Sequence, residues 1–224
     1  MKFILFLVMV VFLWGGQRIV SYAEERIPLP TPRFDSDTSV EEALVQRRSR
    51  RSFAPLPLSL EEVAQILWAA CGVTDQSRGF RTAPSAGALY PLEVYLVVGS
   101  VESLSPGVYR YLPEAHALVK VFEGDKRREL FEVGLFQRSI LEAPAVLVFT
   151  AVYERTTRKY GERGIRYVHM EVGHAAQNVY LQAETLRLGT VVIGAFQDEG
   201  VRKALRLPSG EHPLYLMPVG KSRE

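Results

Sequence analysis

The sequence predicts an α+β domain in which a central β-sheet is covered by helices on both faces. Two apolar runs of strand length, 92–98 and 145–152, contain few polar side chains, which is typical of strands buried on both sides. Helical segments with one apolar face lie between the strands, and the longest of them is predicted over 166–188. Because strands and helices do not alternate regularly, an α+β arrangement is favoured over an α/β one.

Composition and charge exclude several classes of protein. The chain has 224 residues, of which 47% are hydrophobic and 23% charged, so it is long and apolar enough for one domain with a sizeable core. The net charge of +2 is too balanced for a general nucleic-acid binder. Cys71 is the single cysteine, which excludes an intramolecular disulfide and a Cys-based metal site. We expect it to be a buried thiol on an apolar helix.

The N-terminus has the pattern of an export signal. Lys2 precedes the apolar run 3–14, and Ser21 and Ala23 place small residues where a signal peptidase cleaves. The run is too short for a comfortable membrane span, although an uncleaved membrane anchor is the alternative. We therefore predict a signal peptide over 1–23, a linker or extended arm over 24–38 and one domain over 39–224. The expected location is periplasmic or extracellular.

Turn and capping residues predict the remaining elements. Ser39 and Ser59 are each followed three residues later by glutamate, which is the capping-box pattern of a helix start. Gly72 is predicted to end the second helix in a left-handed conformation. The other expected elements are a hairpin of 108–112 and 118–122, a single helix over 126–140, a strand-like segment over 190–196, a short helix capped by Asp198 and a final strand over 214–219.

A basic cluster follows the first predicted helix. It reads Arg47-Arg48-Ser49-Arg50-Arg51. Guanidinium groups bind phosphate oxygens two at a time, and a serine hydroxyl adds a neutral donor. The alternative is a solvated turn whose charges complement the C-terminal end of the helix.

Two further segments are built from small residues. The loop 82–91 precedes a buried strand, and its small side chains allow backbone N–H groups to approach a flat ligand, with Gly87 free to take a positive φ. The turn 192–196 could direct a backbone N–H at a ring nitrogen. Taken alone, the first segment is better explained as a tight loop entering the sheet, and the second as an ordinary buried strand end.

The remaining candidate residues favour proton transfer over metal or hydrolytic chemistry. Lys159 beside Tyr160 could deprotonate or orient a substrate, although a surface lysine and a packing tyrosine in a loop would give the same pattern. His169 and His174 are five residues apart and do not share a helix face, so no metal site is predicted. Ser49 and Ser85 lack the partners of a hydrolase triad.

In this order the motifs resemble the nitroreductase-like flavoproteins, and especially their SagB-type dehydrogenase branch. The likeness covers about 40–221 and includes the arginine cluster, the 84–91 loop, Gly107-Val108-Tyr109, Lys159-Tyr160-Gly161 and the 173–178 segment Gly-His-Ala-Ala-Gln-Asn. The resemblance implies a homodimer with FMN at its interface. It implies that FMN is bound by Arg47, Arg48, Ser49, Arg51, Pro84, Ser85, Ala86, Gly87, Gly194, Ala195 and Lys221. The chain ends soon after Lys221, without the basic tail of many nitroreductases, which puts the role of Lys221 in doubt.

The sequence therefore predicts an FMN-dependent oxidoreductase that exchanges hydride between flavin and a small organic substrate. Lys159 and Tyr160 are its candidate catalytic residues, and no nucleic-acid partner is expected. An exported enzyme would find little NAD(P)H, so oxygen or a quinone is the expected electron acceptor. The first alternative is an exported flavin-binding or sensor module without turnover. The second is an exported binding protein in which the arginines hold another phosphorylated ligand.

Overall fold

The computed structural model describes residues 26–223, and the predicted signal peptide lies outside this range. Its main feature is a seven-stranded sheet in which every neighbouring pair is antiparallel, with the order β1-β6-β5-β4-β7-β9-β8. A separate two-stranded ribbon pairs β2 with β3. The strands are β1 (Arg26–Pro28), β2 (Val73–Asp75), β3 (Phe80–Arg81), β4 (Leu92–Val98), β5 (Gly107–Leu112), β6 (Ala117–Glu123), β7 (Ala145–Ala151), β8 (Leu188–Thr190) and β9 (His212–Lys221).

Helices cover both faces of the sheet, which confirms the predicted fold class. Apolar side chains of α2 and α6 join the core on one face, and those of α3, α4 and α7 join the core on the other. Among residues 26–223, none of the helices is long and apolar enough to cross a membrane. The helices are α1 (Val40–Gln46), α2 (Leu60–Cys71), α3 (Arg127–Val133), α4 (Arg138–Glu142), α5 (Glu154–Tyr160), α6 (Arg163–Thr185) and α7 (Asp198–Leu205).

The central strand β4 is buried on both sides, as its apolar sequence predicts. Leu96 pairs with Tyr109 of β5 and with Leu147 of β7. Leu96 belongs to the core under α2 and α6, whereas Val97 belongs to the opposite core. Successive side chains of a strand point to opposite faces, so an unbroken apolar run serves two cores.

The first described residues lie against the domain. The strand β1 pairs with β6 through Ile27 and Leu118 and adds an edge strand to the sheet. Further along, the backbone N–H of Arg33 donates to the side-chain oxygen of Gln65, and the Gln65 amide donates to the Arg33 carbonyl. The segment predicted as a linker or extended arm thus contacts α2 through backbone hydrogen bonds.

The start of α2 is as predicted, but its end is not. Ser59 accepts a hydrogen bond from the Glu62 N–H, and the Glu62 carboxylate accepts one from the Ser59 N–H, which completes the capping box. Gly72 is extended, with φ −65° and ψ 155°, so the predicted left-handed cap is wrong. Glycine is required there because a Cβ would lie 2.3 Å from Cδ1 of Trp68.

The single helix predicted over 126–140 is also wrong. The structure has α3 and α4 in its place, separated by residues 134–137. Within this connection, Leu135 and Phe136 adopt a left-handed backbone with φ of 57° and 58°. The Phe136 N–H donates to the Phe131 carbonyl, and the Gln137 side chain donates to the Gly134 carbonyl. These hydrogen bonds stabilise a turn that the apolar periodicity conceals.

Other boundaries differ more modestly from the prediction. Of the strand-like segment predicted over 190–196, only Thr190 belongs to β8, and Ile193 forms an isolated bridge with Leu216. Asp198 is the first residue of α7, and Gln197 is its N-cap. Lys159 and Tyr160, considered above as loop residues, form the last turn of α5.

We predict that Gly72→Ala lowers the free energy of unfolding by about 1–3 kcal/mol, because the new methyl group would displace Trp68 from its position on α2. Urea denaturation monitored by tryptophan fluorescence measures the change. Gly210→Ala is the matched control, since a Cβ at Gly210 meets nothing within 4 Å. Equal stabilities of the two variants would contradict this account of Gly72.

Candidate functional site

The arginine cluster lies beyond the end of α1, against the C-terminal half of α6. The Arg47 guanidinium lies over the Tyr180 ring, 5.1 Å from its centroid, and Ser49 Oγ is 3.0 Å from the Tyr180 hydroxyl. Arg48 donates to the carbonyls of Val45 and Arg47. In this structure Arg48 therefore caps the C-terminal end of α1, while Arg47 and Ser49 are ordered by one tyrosine.

Tyr180 also joins the cluster to the turn 192–195. Its hydroxyl accepts a hydrogen bond of 2.8 Å from the Val192 N–H, and the Arg50 N–H donates to the Thr190 carbonyl. Two motifs that are more than 130 residues apart are thereby brought together. Tyr180 itself was not among the residues predicted from the sequence.

The predicted turn residues Gly194 and Ala195 are exposed beside the arginine cluster. A Cβ at Gly194 would come no closer than 3.5 Å to the Tyr215 ring, so this side of the turn is open. The Ala195 carbonyl accepts a hydrogen bond from the Gln137 side chain. Gln137, at the start of α4, thus holds the turn in place, a role that the sequence did not indicate.

Lys221 lies near the end of β9, where it pairs in register with Leu188 of β8. Its ammonium forms an ion pair with the Glu62 carboxylate of α2. The charge of Lys221 is therefore balanced inside the chain, and its predicted part in phosphate binding stays a prediction.

The loop 84–87 and the lysine–tyrosine pair form a second group. Gly87 has φ 66°, and a Cβ there would lie 2.7 Å from the Tyr160 hydroxyl and 3.0 Å from Lys159 Nζ. Only glycine allows the loop backbone this close to both side chains at a positive φ. The loop formed by Pro84, Ser85, Ala86 and Gly87 therefore lies next to the candidate catalytic pair.

A buried carboxyl group lies behind this loop. Glu171 of α6 is 5% exposed and forms a hydrogen bond with Ser85. Burial raises the pKa of Glu171 to about 7, opposed by the Ser85 hydrogen bond and the positive charge of Arg81. The sequence signal was a glutamate on the buried face of the longest predicted helix, next to Val172.

The arginine cluster and the loop contact nearly opposite faces of α6. Asn178 donates to the Thr82 carbonyl and shares a face with Glu171, seven residues away. Tyr180 is two residues further on, a rotation of about 200° at roughly 100° per residue. The two groups of predicted cofactor ligands therefore lie on different sides of the same helix within one chain.

The remaining titratable candidates have structural contacts. Tyr153 forms a hydrogen bond of 2.6 Å with Nε2 of His169, and His174 is exposed. Within residues 26–223, no cluster of three or more His, Cys, Asp or Glu side chains could hold a metal ion. Cys71 is buried as expected, and burial raises its pKa to about 12, so it is a neutral thiol.

This helix-covered sheet, with an arginine cluster beside a glycine turn, has the architecture of flavin-type oxidoreductases. The Nitroreductase family model matches residues 44–221, and the chain belongs to this family. MJ1384 of Methanocaldococcus jannaschii, which carries the name nitroreductase, is 52% identical over 188 residues, covering 84% of this chain and 93% of that protein. A Ralstonia eutropha protein described as a nitroreductase superposes with a TM-score of 0.79 at 28% identity, covering 97% of this chain and all of that one.

A second group of relatives is named for the processing of microcin B17 or trifolitoxin. The Escherichia coli microcin B17-processing protein McbC is 32% identical over 155 residues, covering 67% of this chain and 57% of that protein. A chain of the E. coli McbBCD microcin synthetase complex, with truncated pro-MccB17 bound, superposes with a TM-score of 0.69 at 28% identity, covering 88% of this chain and 78% of that one. The chain thus spans little more than half the length of McbC.

Proposed function

We propose that this protein is an FMN-dependent oxidoreductase whose two active sites lie between the chains of a homodimer. The observation that carries the proposal is the placement of the two groups of predicted ligands on nearly opposite faces of α6. A single flavin can contact both groups if one chain supplies the arginine cluster and turn, and the partner supplies the loop with Lys159 and Tyr160. The family supports the flavin-type chemistry.

The residues of the first group fit an FMN phosphate and the nearby ring edge. Arg47, Ser49 and Arg51 offer cationic and hydroxyl donors for a dianion. Arg48 and Arg51 now donate to backbone carbonyls, and a phosphate would be a stronger acceptor for both. The open side of Gly194 admits a flat ring. Bound FMN would supply two-electron hydride exchange with a small organic substrate.

The second group fits the proton-handling part of the reaction. Lys159 Nζ and the Tyr160 hydroxyl both lie against Gly87, so they share one small surface of the loop. A lysine and a tyrosine held together can donate or accept a proton as hydride moves. Their fixed geometry is what a general acid–base pair requires.

Exposed apolar residues support the dimer. Val40, Leu44 and Val45 of α1 are 65%, 53% and 72% exposed. Met170 of α6 is 52% exposed, and it shares an open stripe with Gly173, where a Cβ would meet nothing within 4 Å. Tyr180, seven residues beyond Gly173 and therefore on nearly the same side of α6, is buried beneath the arginine cluster. A partner docked on the stripe would therefore lie next to the cluster.

A complementation experiment tests the shared site. Arg47→Ala/Arg51→Ala removes two phosphate donors, and Gly87→Val places a branched side chain against Tyr160 at a positive φ. We expect either variant alone to lose FMN, whereas a doubly tagged heterodimer of the two should bind about one FMN, because one of its sites contains no substitution. Released FMN is measured by chromatography and visible absorption.

The control heterodimer pairs Arg47→Ala/Arg51→Ala with Ser49→Ala, so that both of its sites are defective. If each site lay within one chain, the first heterodimer would bind no more FMN than the control. A wild-type protein that stays colourless with added FMN would reject the cofactor itself and favour another phosphorylated ligand.

A second prediction separates an enzyme from a flavin sensor without turnover. Lys159→Met and Tyr160→Phe should slow reoxidation of the reduced flavin by menadione about 100-fold, because the quinone must gain a proton with the hydride. FMN affinity should change little. Lys203→Met, an exposed substitution on α7, is the control. Unchanged rates in all three variants would support the sensor.

Substrate class and location are also part of the proposal. McbC supports the SagB-type branch, but its partner enzymes and peptide would be cytoplasmic. For an exported protein we therefore propose a small organic substrate and a quinone or oxygen as electron acceptor.

Expression of the full chain in a host with a secretion pathway tests the leader. The mass of the mature protein should match a chain that begins at Glu24, whereas an intact leader would indicate a membrane anchor instead.

A further inference from the structure

The loop under Lys159 and Tyr160 depends on Ser85. The Ser85 side chain forms a hydrogen bond with Glu171 and accepts one of 2.9 Å from the Tyr90 N–H. It thereby spans the Ala86–Ala88 turn that brings Gly87 against the pair. This one hydroxyl connects the long helix to both ends of the turn.

Helix α6 contacts the loop at two matched positions. Glu171 contacts Ser85, and Asn178 donates to the Thr82 carbonyl. The stretch from Thr82 to Ser85, which ends in an extended conformation at Ser85, therefore runs antiparallel to the helix between the two contacts.

The charges around Glu171 leave it without a dedicated ion pair partner among the described residues. Arg81 of β3 attracts it, but the Arg81 guanidinium lies 2.6 Å from Glu114 and over the Tyr90 ring. Cys71 of α2 also interacts with Glu171 and is neutral. Burial therefore dominates, and the carboxyl group exchanges its proton close to neutral pH.

We propose that Glu171 is a positioning residue for the reaction, which holds the loop through Ser85 and holds it more tightly once it has lost its proton. The proposal rests on the proposed function, since it assigns a role to the surface on which Lys159 and Tyr160 rest.

The direction of the effect follows from hydrogen-bond chemistry. Ionised Glu171 only accepts, so Ser85 donates to it and keeps its oxygen for the Tyr90 N–H. Protonated Glu171 forms only a neutral hydrogen bond with Ser85, which is weaker than the charge-assisted one and holds the loop less tightly. The loop should therefore be better ordered above neutral pH, and turnover should rise with pH.

Two measurements on the full dimeric protein test this inference. One is the pH profile of menadione reduction by the FMN-loaded enzyme. The other is hydrogen exchange of the Tyr90 amide in the protein without FMN, corrected for the intrinsic rate at each pH. The variants are Glu171→Gln, which keeps the size of the side chain without its titration, and Ser85→Ala, which removes the link. Glu132→Gln, on an exposed position of α3, is the control.

For the wild type and the control, we expect turnover to rise about fivefold between pH 6 and 8, and Tyr90 protection to rise with it. Glu171→Gln should show neither rise, and Ser85→Ala should expose Tyr90 at both pH values. Profiles of Glu171→Gln that superimpose on the wild type in both measurements would overturn the inference. A protein that bound no FMN would refute the proposed function, and hydrogen exchange would still decide whether Glu171 holds the loop.

Discussion

The packing of α6 against the sheet is the interaction on which both groups of candidate site residues depend. The helix has 23 residues, which corresponds to about 35 Å, and Val168, Val172, Ala175 and Val179 bury one side of it in the core. With that side fixed, the rotation of the helix also fixes the direction of every polar side chain it carries. Tyr180 then orders the arginine cluster and the glycine turn, while Glu171 and Asn178 hold the loop.

Small residues make this arrangement possible. Ala175, Ala176 and Ala183 let α6 lie close to its neighbours, and Gly87 lets the loop backbone approach Lys159 and Tyr160. A larger residue at Gly87 would meet both side chains and an unfavourable φ together. The shape of the candidate site thus depends on these small residues as much as on the arginines and the lysine.

The sequence predicted most of the fold because its signals are local. An apolar run such as β4 and a serine–glutamate pair such as Ser59 with Glu62 act within a few residues. The prediction failed where a particular side-chain or turn contact, which apolar periodicity does not encode, decides the conformation. Trp68 determines the need for glycine at Gly72, and hydrogen bonds to Phe131 and Gly134 stabilise the break between α3 and α4.

The candidate site divides in the same way. Motifs identified Gly87 and the lysine–tyrosine pair separately, but no spacing rule could show that they touch. Tyr180 and Gln137 act through other residues and have no sequence signature. Their partners Ser49 and Ala195 lie 131 and 58 positions away along the chain. Glu171, in contrast, does have a sequence signature, since a carboxyl group on the apolar face of a helix is unusual.

The two edges of the sheet bear on how a second chain could attach. At one edge, β1 has three residues and ends with Pro28, which has no N–H to offer a new strand. At the other edge, β8 also has three residues, and the Arg50 N–H already occupies the Thr190 carbonyl. Short strands of this kind discourage pairing between sheets. Exposed apolar residues on α1 and α6, such as Leu44 and Met170, offer a helical surface instead. In the proposed homodimer, a partner docked on this surface would place its loop beside the arginine cluster.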